Sequence, residues 1–257
     1  MTKNIQQKNG NFTNKSLIYG KHPFFSVLKS KKRKIYKIFV SKKNQNEFYD
    51  FLKQNNIVLL DNIVEITDSQ KLDNVFPYTE KNHQGYILFA SEKQKLSFDD
   101  FLNNAKSQSS LPKLLILDQI LDPHNLGAII RTSVAFGINN IIITSYNSVK
   151  DTPTVSKSSV GLNEIVNLIE VVNLNNTIKE LKKMGYFIIG LDGEAKNTIN
   201  SIKDPTNLAL VLGNEGKGIR ELVKKNCDML VKIEMKECVE SLNVSVATAI
   251  AVYELWG

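Results

Sequence analysis

The chain has 257 residues, of which 42% are hydrophobic and 23% charged, a composition typical of soluble proteins with one large domain or two modest ones. No apolar run approaches the roughly 20 residues needed to cross a bilayer, and the polar N-terminus lacks the apolar region of a secretory signal, so we expect a cytoplasmic protein. The formal net charge of +7 is concentrated in residues 1–110, with 18 basic and 10 acidic residues, which indicates either a module that binds a polyanion or a merely lysine-rich solvated surface.

The first part of the chain predicts a small α/β domain at residues 16–92, preceded by a disordered polar tail at residues 1–15. The predicted elements are strands at 35–40, 57–60 and 85–89 and a helix at 44–54. Basic residues flank the first of these strands, at 29–34 before it and at 42–43 after it. We expect them to follow a nucleic-acid backbone.

Residues 93–112 are predicted to be a linker, because they end in a polar, serine-rich stretch closed by Pro112. A short helix is predicted within them, at 98–105. From residue 113 the pattern changes to strand–helix repeats. Strands are predicted at 114–117, 141–143, 168–172, 186–191, 208–212 and 229–233, and helices at 126–136, 154–159, 174–184, 219–226 and 244–255. Such alternation is typical of a parallel sheet with helices on both faces.

The loop after the first strand of this series is rich in polar residues. It runs from Asp118 to Gly127, where Pro123 and Gly127 are expected to shape the turn and Asn125 to cap the helix with its amide. Arg131 is expected near the helix N-terminus, where a phosphate is favoured. An ordinary capped helix with a surface arginine would give the same pattern.

Two further loops combine glycine with polar residues. One spans 212–218 and holds three glycines in six residues around Glu215, but it matches neither a P-loop nor GxGxxG. The other spans 240–245, where Ser241 and Asn243 are good capping residues and Leu242 between them could pack on a flat ring. Ligands of parallel α/β sheets bind at the carboxyl ends of the strands, so we expect these loops to meet there.

The residue types in these loops limit the chemistry. They are Asn, Arg, Glu and Ser, without a catalytic triad or paired carboxylates. Cys227 and Cys238 have the spacing of neither a CxxC pair nor a zinc ribbon, and the three histidines are scattered, so no metal is expected. This set suits transfer of a group from an activated donor, where the protein orients the reactants and one proton is removed.

Three segments resemble the motifs of the SpoU, or TrmH-like, RNA 2′-O-ribose methyltransferases. They are DPHNLGAIIRT at 122–132, LGNEGKGIR at 212–220, and IEM at 233–235 followed by SLNVSVA at 241–247. Asn214 departs from the small residue of many relatives. In addition, IYGKH at 18–22 and HQG at 83–85 resemble the start and end of the SpoU substrate-binding domain. That domain is similar to ribosomal proteins that bind kinked RNA, and it indicates the RlmB-type branch, which acts on guanosine in 23S rRNA.

The resemblance implies an α/β protein with a ribosomal-protein-like substrate-binding domain at 16–92 and a SPOUT methyltransferase domain at 113–257. The latter would have a parallel sheet with a deep trefoil knot and would form a homodimer. Val246, Ile250 and Tyr253 lie at helical spacing on the last helix, either in that interface or in the core of the domain. The resemblance implies S-adenosylmethionine as the cofactor. The implied cofactor-binding residues are Leu212, Gly213, Gly218, Ile233 and Leu242.

The resemblance also implies the catalytic set. In the family, an arginine that matches Arg131 is proposed to activate the 2′-hydroxyl with help from an RNA phosphate. Phosphate binding is the alternative role, since arginine stays protonated in ordinary protein settings. The residues implied to position ribose, donor or loops are Asn125, Glu215, Ser241 and Asn243. Two other functions stay open: a tRNA ribose methyltransferase, and a non-catalytic RNA-binding or ribosome-assembly protein.

Overall fold

The computed structural model describes residues 15–203, 206–236 and 238–257, so the tail predicted at residues 1–15 lies outside the described residues except for Lys15. The chain divides into two compact units between Gln94 and Lys95. Among the described helices, none combines the length and the apolar character that a membrane span requires.

The first unit is a four-stranded sheet with helices on both faces. Its elements are β1 (Ser16–Tyr19), α1 (Lys21–Ser30), β2 (Ile35–Ser41), α2 (Gln45–Gln54), β3 (Val64–Thr67), α3 (Ser69–Val75) and β4 (Tyr86–Ala90). The strand order is β1-β4-β2-β3, in which β4 runs antiparallel to β1 and β2, and β3 runs parallel to β2. The predicted strands at 35–40 and 85–89 and the helix at 44–54 are confirmed.

The central strand β4 is buried on both faces and is therefore apolar throughout. Tyr86 and Leu88 pack with Phe24 of α1, whereas Ile87 and Phe89 belong to the core on the side of α3. Successive side chains of a strand point to opposite faces, so the two cores share this one strand. The continuous run YILFA follows from that double burial.

One predicted strand of this unit is wrong. Residues 57–60 lie outside any strand, and the edge strand beside β2 is β3 instead. Ile57 and Leu59 pack against the core, while Val58 and Leu60 are 95% and 71% exposed. This alternation imitates a half-buried strand. Pairing, however, depends on a neighbouring backbone, which the chain meets only from Val64 onward.

The second unit contains a seven-stranded sheet in which every pairing is parallel. Its elements are α4 (Phe98–Lys106), β5 (Leu114–Leu117), α5 (Pro123–Ala135), β6 (Asn140–Thr144), α6 (Pro153–Ser158), β7 (Asn167–Val171), α7 (Leu174–Lys183), β8 (Phe187–Leu191), β9 (Asn197–Thr198), β10 (Leu208–Leu212), α8 (Glu221–Asn226), β11 (Met229–Lys232) and α9 (Val244–Trp256). The strand order is β7-β6-β5-β10-β8-β11-β9. The predicted parallel α/β architecture is confirmed, and the trefoil knot stays a prediction.

Helices cover both faces of this sheet. On one face, α5, α6 and α9 enclose a core with the outward side chains of β5 and β10, and on the other face α4, α7 and α8 do the same. The four residues of β5 are fully buried, as the continuous run LLIL predicts. Central strands with both faces covered place their carboxyl ends, and the loops that follow, at one edge of the sheet.

The segment assigned to a linker, residues 93–112, contains α4. Ser97 caps this helix by accepting a hydrogen bond from the Asp100 amide at 3.1 Å. Phe101 and Ala105 are buried in the core of the second unit. The helix is therefore part of the second unit, and a cut that separates the two units intact falls near Lys95 rather than after Pro112.

Candidate active site at the carboxyl edge of the parallel sheet

Three chain segments that are remote in sequence meet at the carboxyl ends of the central strands. Asn125 lies in the first turn of α5, Glu215 lies in the loop after β10, and Asn243 lies immediately before α9. The strands β5 and β10 are neighbours in the sheet, which brings the first two segments together. Helix α9 packs on α5, which brings the third segment to the same edge of the sheet.

Side-chain hydrogen bonds close these three residues into a triangle. The Asn125 amide donates to Glu215 Oε1. The Asn243 amide donates to the same carboxylate oxygen at 2.7 Å and to Asn125 Oδ1 at 3.1 Å. One carboxylate oxygen thus accepts two bonds from two different loops. We name this arrangement, Asn125 with Glu215 and Asn243, the amide–carboxylate brace.

The Asn125 side chain takes part in the brace instead of capping its helix, so that prediction is wrong. The cap is Asp122, whose Oδ1 accepts from the His124 amide at 2.9 Å, and Pro123 is the first helical residue. Proline is favoured there because its missing N–H would have no partner. Gly127 also lies inside α5 and not in the turn before it. Because Asp122 provides the cap, the buried side chain of Asn125 is not needed at the helix end and binds Glu215 instead.

Of the two capping residues predicted in the third loop, Asn243 is confirmed, whereas Ser241 caps none of the described helices. Asn243 is the N-cap of α9, and its Oδ1 accepts from the Ser245 amide at 2.9 Å and from the Ser245 hydroxyl at 2.6 Å. Its amide group belongs to the brace at the same time. Asn243 therefore both starts α9 and sets the position of that start relative to the other two loops.

An ion pair between a buried carboxylate and a partly exposed arginine, which the sequence patterns did not predict, ties the first loop to the second. Asp118, directly after β5, is fully buried and accepts from the Arg220 amide at 3.0 Å and from Arg220 Nε and Nη2 at 2.8 Å each. A carboxylate without exposure needs such partners to offset its desolvation. The sequence signal that could have identified Asp118 is its position as an acidic residue directly after a wholly apolar strand.

The glycine-rich loop after β10 is a tight hairpin. Asn214 and Gly218 exchange two backbone hydrogen bonds, of 3.1 and 2.8 Å. A Cβ on Gly213 would lie 2.1 Å from the Gly218 carbonyl carbon, so the turn excludes any larger residue there. The Asn214 side chain donates to the Gln119 carbonyl at 3.0 Å and accepts from the Gly216 amide at 3.0 Å. The side chain of this unusual residue thus joins the hairpin to the first loop.

A second charged pair lies at the end of β8. Asp192 follows this strand, and its carboxylate contacts the Lys224 ammonium of α8 at 2.5 Å. Burial alone would raise the pKa of Asp192, but the hydrogen bonds from Lys224 and from the Glu194 amide outweigh it and hold the pKa below its ordinary value. Asp192 is therefore an ionised anchor for the loop between β8 and β9.

Most of the residues predicted to hold the cofactor lie at the carboxyl ends of two strands of the same sheet, β10 and β11. Leu212 ends β10, Gly213 and Gly218 form the hairpin, and Ile233 follows β11, with β8 between the two strands. Two strand spacings correspond to about 10 Å. Leu242 is half-buried next to Asn243 of the brace, which brings it close to Glu215 in the hairpin.

This set fits a nucleoside better than an ion. It offers backbone groups, the half-buried aliphatic side chains of Ile233 and Leu242, and open space beside Gly218, where an added Cβ would meet no atom within 4 Å. Within the described residues, no three His, Cys, Asp or Glu side chains come together as a metal site would require. Apolar surfaces with a few backbone donors and acceptors are typical of sites for flat organic cofactors.

Arg131 and Ser241 are not brought into the brace. Arg131 is exposed in the third turn of α5, and within the described residues it has no hydrogen bond or ion pair. Six residues separate it from Asn125, which turns it about 120° around the helix and moves it about 9 Å along the axis. It therefore does not lie at the helix N-terminus as predicted. Ser241 is exposed in the segment between β11 and α9.

Family models match both units of the chain. Residues 112–253 match the model described as the SpoU rRNA Methylase family. Residues 17–96 match the model described as RNA 2'-O ribose methyltransferase substrate binding. The first match spans more than half of the chain and contains the brace, the glycine hairpin and the Asp118–Arg220 ion pair.

Known proteins are similar over nearly the whole length. The 23S rRNA (guanosine-2'-O-)-methyltransferase RlmB of Coxiella burnetii is 36% identical over 240 residues, which are 93% of this chain and 94% of that protein. YacO of Bacillus subtilis, assigned by name to the TrmH family of tRNA/rRNA methyltransferases, is 34% identical over 243 residues, with the same coverage of 93% and 94%. The structure of the SpoU methyltransferase AviRb from Streptomyces viridochromogenes, in complex with AdoMet, has a TM-score of 0.73 at 18% identity and covers 94% of this chain and 89% of its own. At that identity the structural match concerns the fold.

Proposed function

This chain belongs to the SpoU family of RNA 2′-O-methyltransferases, which use S-adenosylmethionine, and we propose that its target is the ribose of a guanosine in large-subunit ribosomal RNA. The observation that carries the catalytic part of the proposal is the amide–carboxylate brace, which joins all three family motifs at the carboxyl edge of the sheet. The 36% identity to a 23S rRNA guanosine methyltransferase over 93% of the chain supports the choice of RNA and base. Such a substrate fits a cytoplasmic location.

The cofactor supplies an activated methyl group, so the protein has to hold two reactants in line and accept one proton. We propose that the backbone of Leu212, Gly213, Gly218 and Ile233 and the side chain of Leu242 hold the adenosyl part. The half-buried aliphatic side chains at 233 and 242 offer a surface for a flat ring. The open space beside Gly218 leaves room for it at the hairpin.

The three residues of the brace act as positioning residues in this proposal. Glu215 Oε1 already accepts two hydrogen bonds, while within the described residues its Oε2 has no partner. The carboxylate therefore holds the hairpin to α5 and α9 and still presents one oxygen toward a ligand. Ser241, exposed in the same region, is proposed to contact ribose or donor.

Arg131 is the proposed phosphate ligand of the substrate. Its guanidinium is exposed and without a partner in the described part of the chain, so it is free to bind an RNA phosphate in a bidentate way. Such a contact orients the 2′-hydroxyl and offsets the negative charge of the phosphate beside it. Arg131→Ala would remove both a phosphate ligand and a candidate proton acceptor, so the turnover of that variant tests the two roles together.

We propose a homodimer with α9 in the interface. Val246 and Tyr253 are 47% and 63% exposed, and Ile250 between them is half-buried. The opposite face of α9, with Thr248 and Val252, is fully buried within the unit. An apolar stripe outside the core is stabilised when a second copy covers it.

The test is methyl transfer from labelled S-adenosylmethionine to separated RNA classes. We expect labelling of unmodified 23S rRNA at a guanosine ribose and no labelling of tRNA, with the position mapped by resistance to alkaline hydrolysis. Selective labelling of tRNA would show instead a tRNA ribose methyltransferase. Donor binding without transfer to any RNA, or no donor binding at all, would favour a non-catalytic RNA-binding protein and contradict the proposal.

A truncated chain tests the proposed division of labour between substrate-binding and catalytic domains. Because α4 is part of the second unit, the truncation should begin at Lys95, not after the predicted linker. We expect this piece to bind S-adenosylmethionine and to lose most transfer to 23S rRNA. Full transfer by the truncated chain would show that residues 16–92 do not select the RNA.

A further inference from the structure

A groove in the first unit lies at the opposite end of its sheet from the two family motifs of that unit. The motif segments at 18–22 and 83–85 sit where β1 and β2 end and β4 begins, and Lys21 and Gln84 are hydrogen-bonded there at 2.9 Å. The groove sits instead where β2 begins. It has a volume of about 280 Å³. Its lining residues are Val27, Leu28, Lys31, Arg33, Ile35, Asn56, Ile57, Val58 and Leu59.

The walls of this groove are aliphatic. Val27 and Leu28 of α1 form one side and are anchored in the core, while Ile57 and Leu59 pack on the core from the other side. Val58 is 95% exposed, so its branched side chain stands in solvent at the wall. Such an exposed β-branched side chain next to a groove provides an apolar surface that a flat ring can cover.

The rim of the groove is cationic. Lys31 caps the end of α1 in a left-handed conformation, with φ of 55°, and Arg33 is held by a 3.4 Å hydrogen bond to the Ser91 carbonyl. Both belong to the basic run KSKKRK at 29–34. The described lining contains two cations and no carboxylate, so the groove is complementary to an anion with an apolar body.

We propose that this groove binds an unpaired nucleotide of the RNA substrate, with the base against the aliphatic walls and its phosphate on Lys31 and Arg33. The Asn56 amide, which offers both a donor and an acceptor, lies in the lining where it can meet the edge of a base. Sequence-tolerant RNA sites combine a basic track with surfaces on which bases pack. The inference rests on the proposed function, because it names part of the RNA site that the reaction needs.

The groove also sets a path for the RNA across the unit. Strand β2 separates the groove from the motif end, and its seven residues correspond to about 23 Å. Lys42 and Lys43 are exposed at that far end. A single strand that runs from one end of β2 to the other would meet cations at both. A second pocket of this unit, next to Lys21, is lined by two carboxylates, Glu47 and Asp50, which disfavour a phosphate there, whereas the described lining of the groove has none.

The test uses the full chain and a matched pair of charge-introducing variants. Val58→Glu places a carboxylate on the groove wall, whereas Leu60→Glu places one two residues away, outside the lining, at a side chain that is also largely exposed. The probe is a fluorescently labelled single-stranded RNA of mixed sequence, measured by anisotropy. We expect Val58→Glu to raise the Kd about tenfold or more and Leu60→Glu about twofold or less. Equal losses, or no loss in either, would overturn the groove.

A second variant keeps the test meaningful if Val58→Glu folds poorly. Lys31→Asn removes one charge, and asparagine tolerates the left-handed backbone. Its control is Lys53→Asn, at an exposed lysine of α2 outside the lining. We expect a clear loss of RNA affinity in the first and little in the second, with unchanged S-adenosylmethionine binding in both. Equal affinity in the two variants would also refute the groove.

Crosslinking and methylation assays together distinguish a wrong assignment of the groove from a wrong proposed function. RNA that contains 4-thiouridine should crosslink to the peptide at 56–59, and crosslinks confined to other segments would place the base elsewhere and refute the inference. If the unaltered chain methylates 23S rRNA while Val58→Glu does so equally well, only the groove is wrong. If the unaltered chain neither binds nor methylates RNA, the proposed function fails first.

Discussion

Replacing Glu215 by alanine is the most direct test of the amide–carboxylate brace. The change removes the acceptor of two hydrogen bonds, from Asn125 and from Asn243. Each such bond contributes about 0.5–1.5 kcal/mol net, and the lower half of that range applies because Glu215 is exposed. We therefore expect the free energy of unfolding to fall by about 1–2 kcal/mol, which lowers Tm by roughly 3–6 °C for a unit of this size.

The same change should weaken cofactor binding. Asn243 adjoins Leu242, so the loss of its carboxylate partner leaves the proposed donor loop less well ordered. We expect the Kd for S-adenosylmethionine to rise about tenfold, or about 1.4 kcal/mol, as measured by calorimetry. Glu215→Gln retains a carbonyl oxygen as acceptor and should therefore lose less stability and less affinity for S-adenosylmethionine than Glu215→Ala.

Glu221→Ala is the matched control for this experiment. Glu221 is an exposed glutamate of the same unit, 81% exposed, whose contact with Lys224 is 3.4 Å long. Its removal should change stability by no more than about 0.5 kcal/mol. If Glu215→Ala shows the same Tm, the same donor affinity and the same turnover as Glu221→Ala, the brace does not order the site and the reasoning is refuted.

The remaining predictions concern catalysis, donor binding, assembly and thiol reactivity. Arg131→Ala should abolish methyl transfer while leaving Tm and donor binding intact, and near-normal turnover would exclude it as phosphate ligand or base. Leu242→Asp should weaken S-adenosylmethionine binding at least about tenfold, or about 1.4 kcal/mol, because a carboxylate beside the adenine would be poorly solvated; unchanged affinity in calorimetry would remove this loop from the donor site. Light scattering should give twice the 29.0 kDa chain mass, and a monomer at micromolar concentration would contradict the proposed interface. Burial raises the pKa of the Cys227 thiol to about 12, so at neutral pH iodoacetamide should label the exposed Cys238 and spare Cys227, and mass spectrometry that finds equal labelling would contradict the burial.

Local patterns predicted most of the second unit because its strands are short, apolar and regularly separated. The strand at 208–212 is found with the predicted bounds, and the strand at 114–117 is wholly buried as expected. Helix boundaries shifted where a cap decided them, as at α5, which Asp122 and Pro123 start three residues earlier than predicted. Periodicity shows where a helix buries its face, whereas the cap shows where it starts.

The strand predicted at 57–60 failed for a different reason. An alternating apolar pattern reports which side chains are buried, and that part was correct for Ile57 and Leu59. It does not report whether a neighbouring backbone is within hydrogen-bonding distance. Val58, one of the exposed residues in this alternating pattern, forms part of the wall of the groove. Both the failure and the proposed site thus come from tertiary placement.

The sequence by itself determined the parallel α/β class of the second unit, the three loops and the residue types they contain, because each depends on neighbours within a few positions. Only the tertiary structure decided that Asn125 binds Glu215, 90 residues away, and that Asp118 binds Arg220, 102 residues away. The order of strands brings these partners together, since β10 lies beside β5 although four strands separate them in the chain. A side chain such as Asn125 has capping and bridging roles open to it, and the groups that folding places within hydrogen-bonding distance select between them.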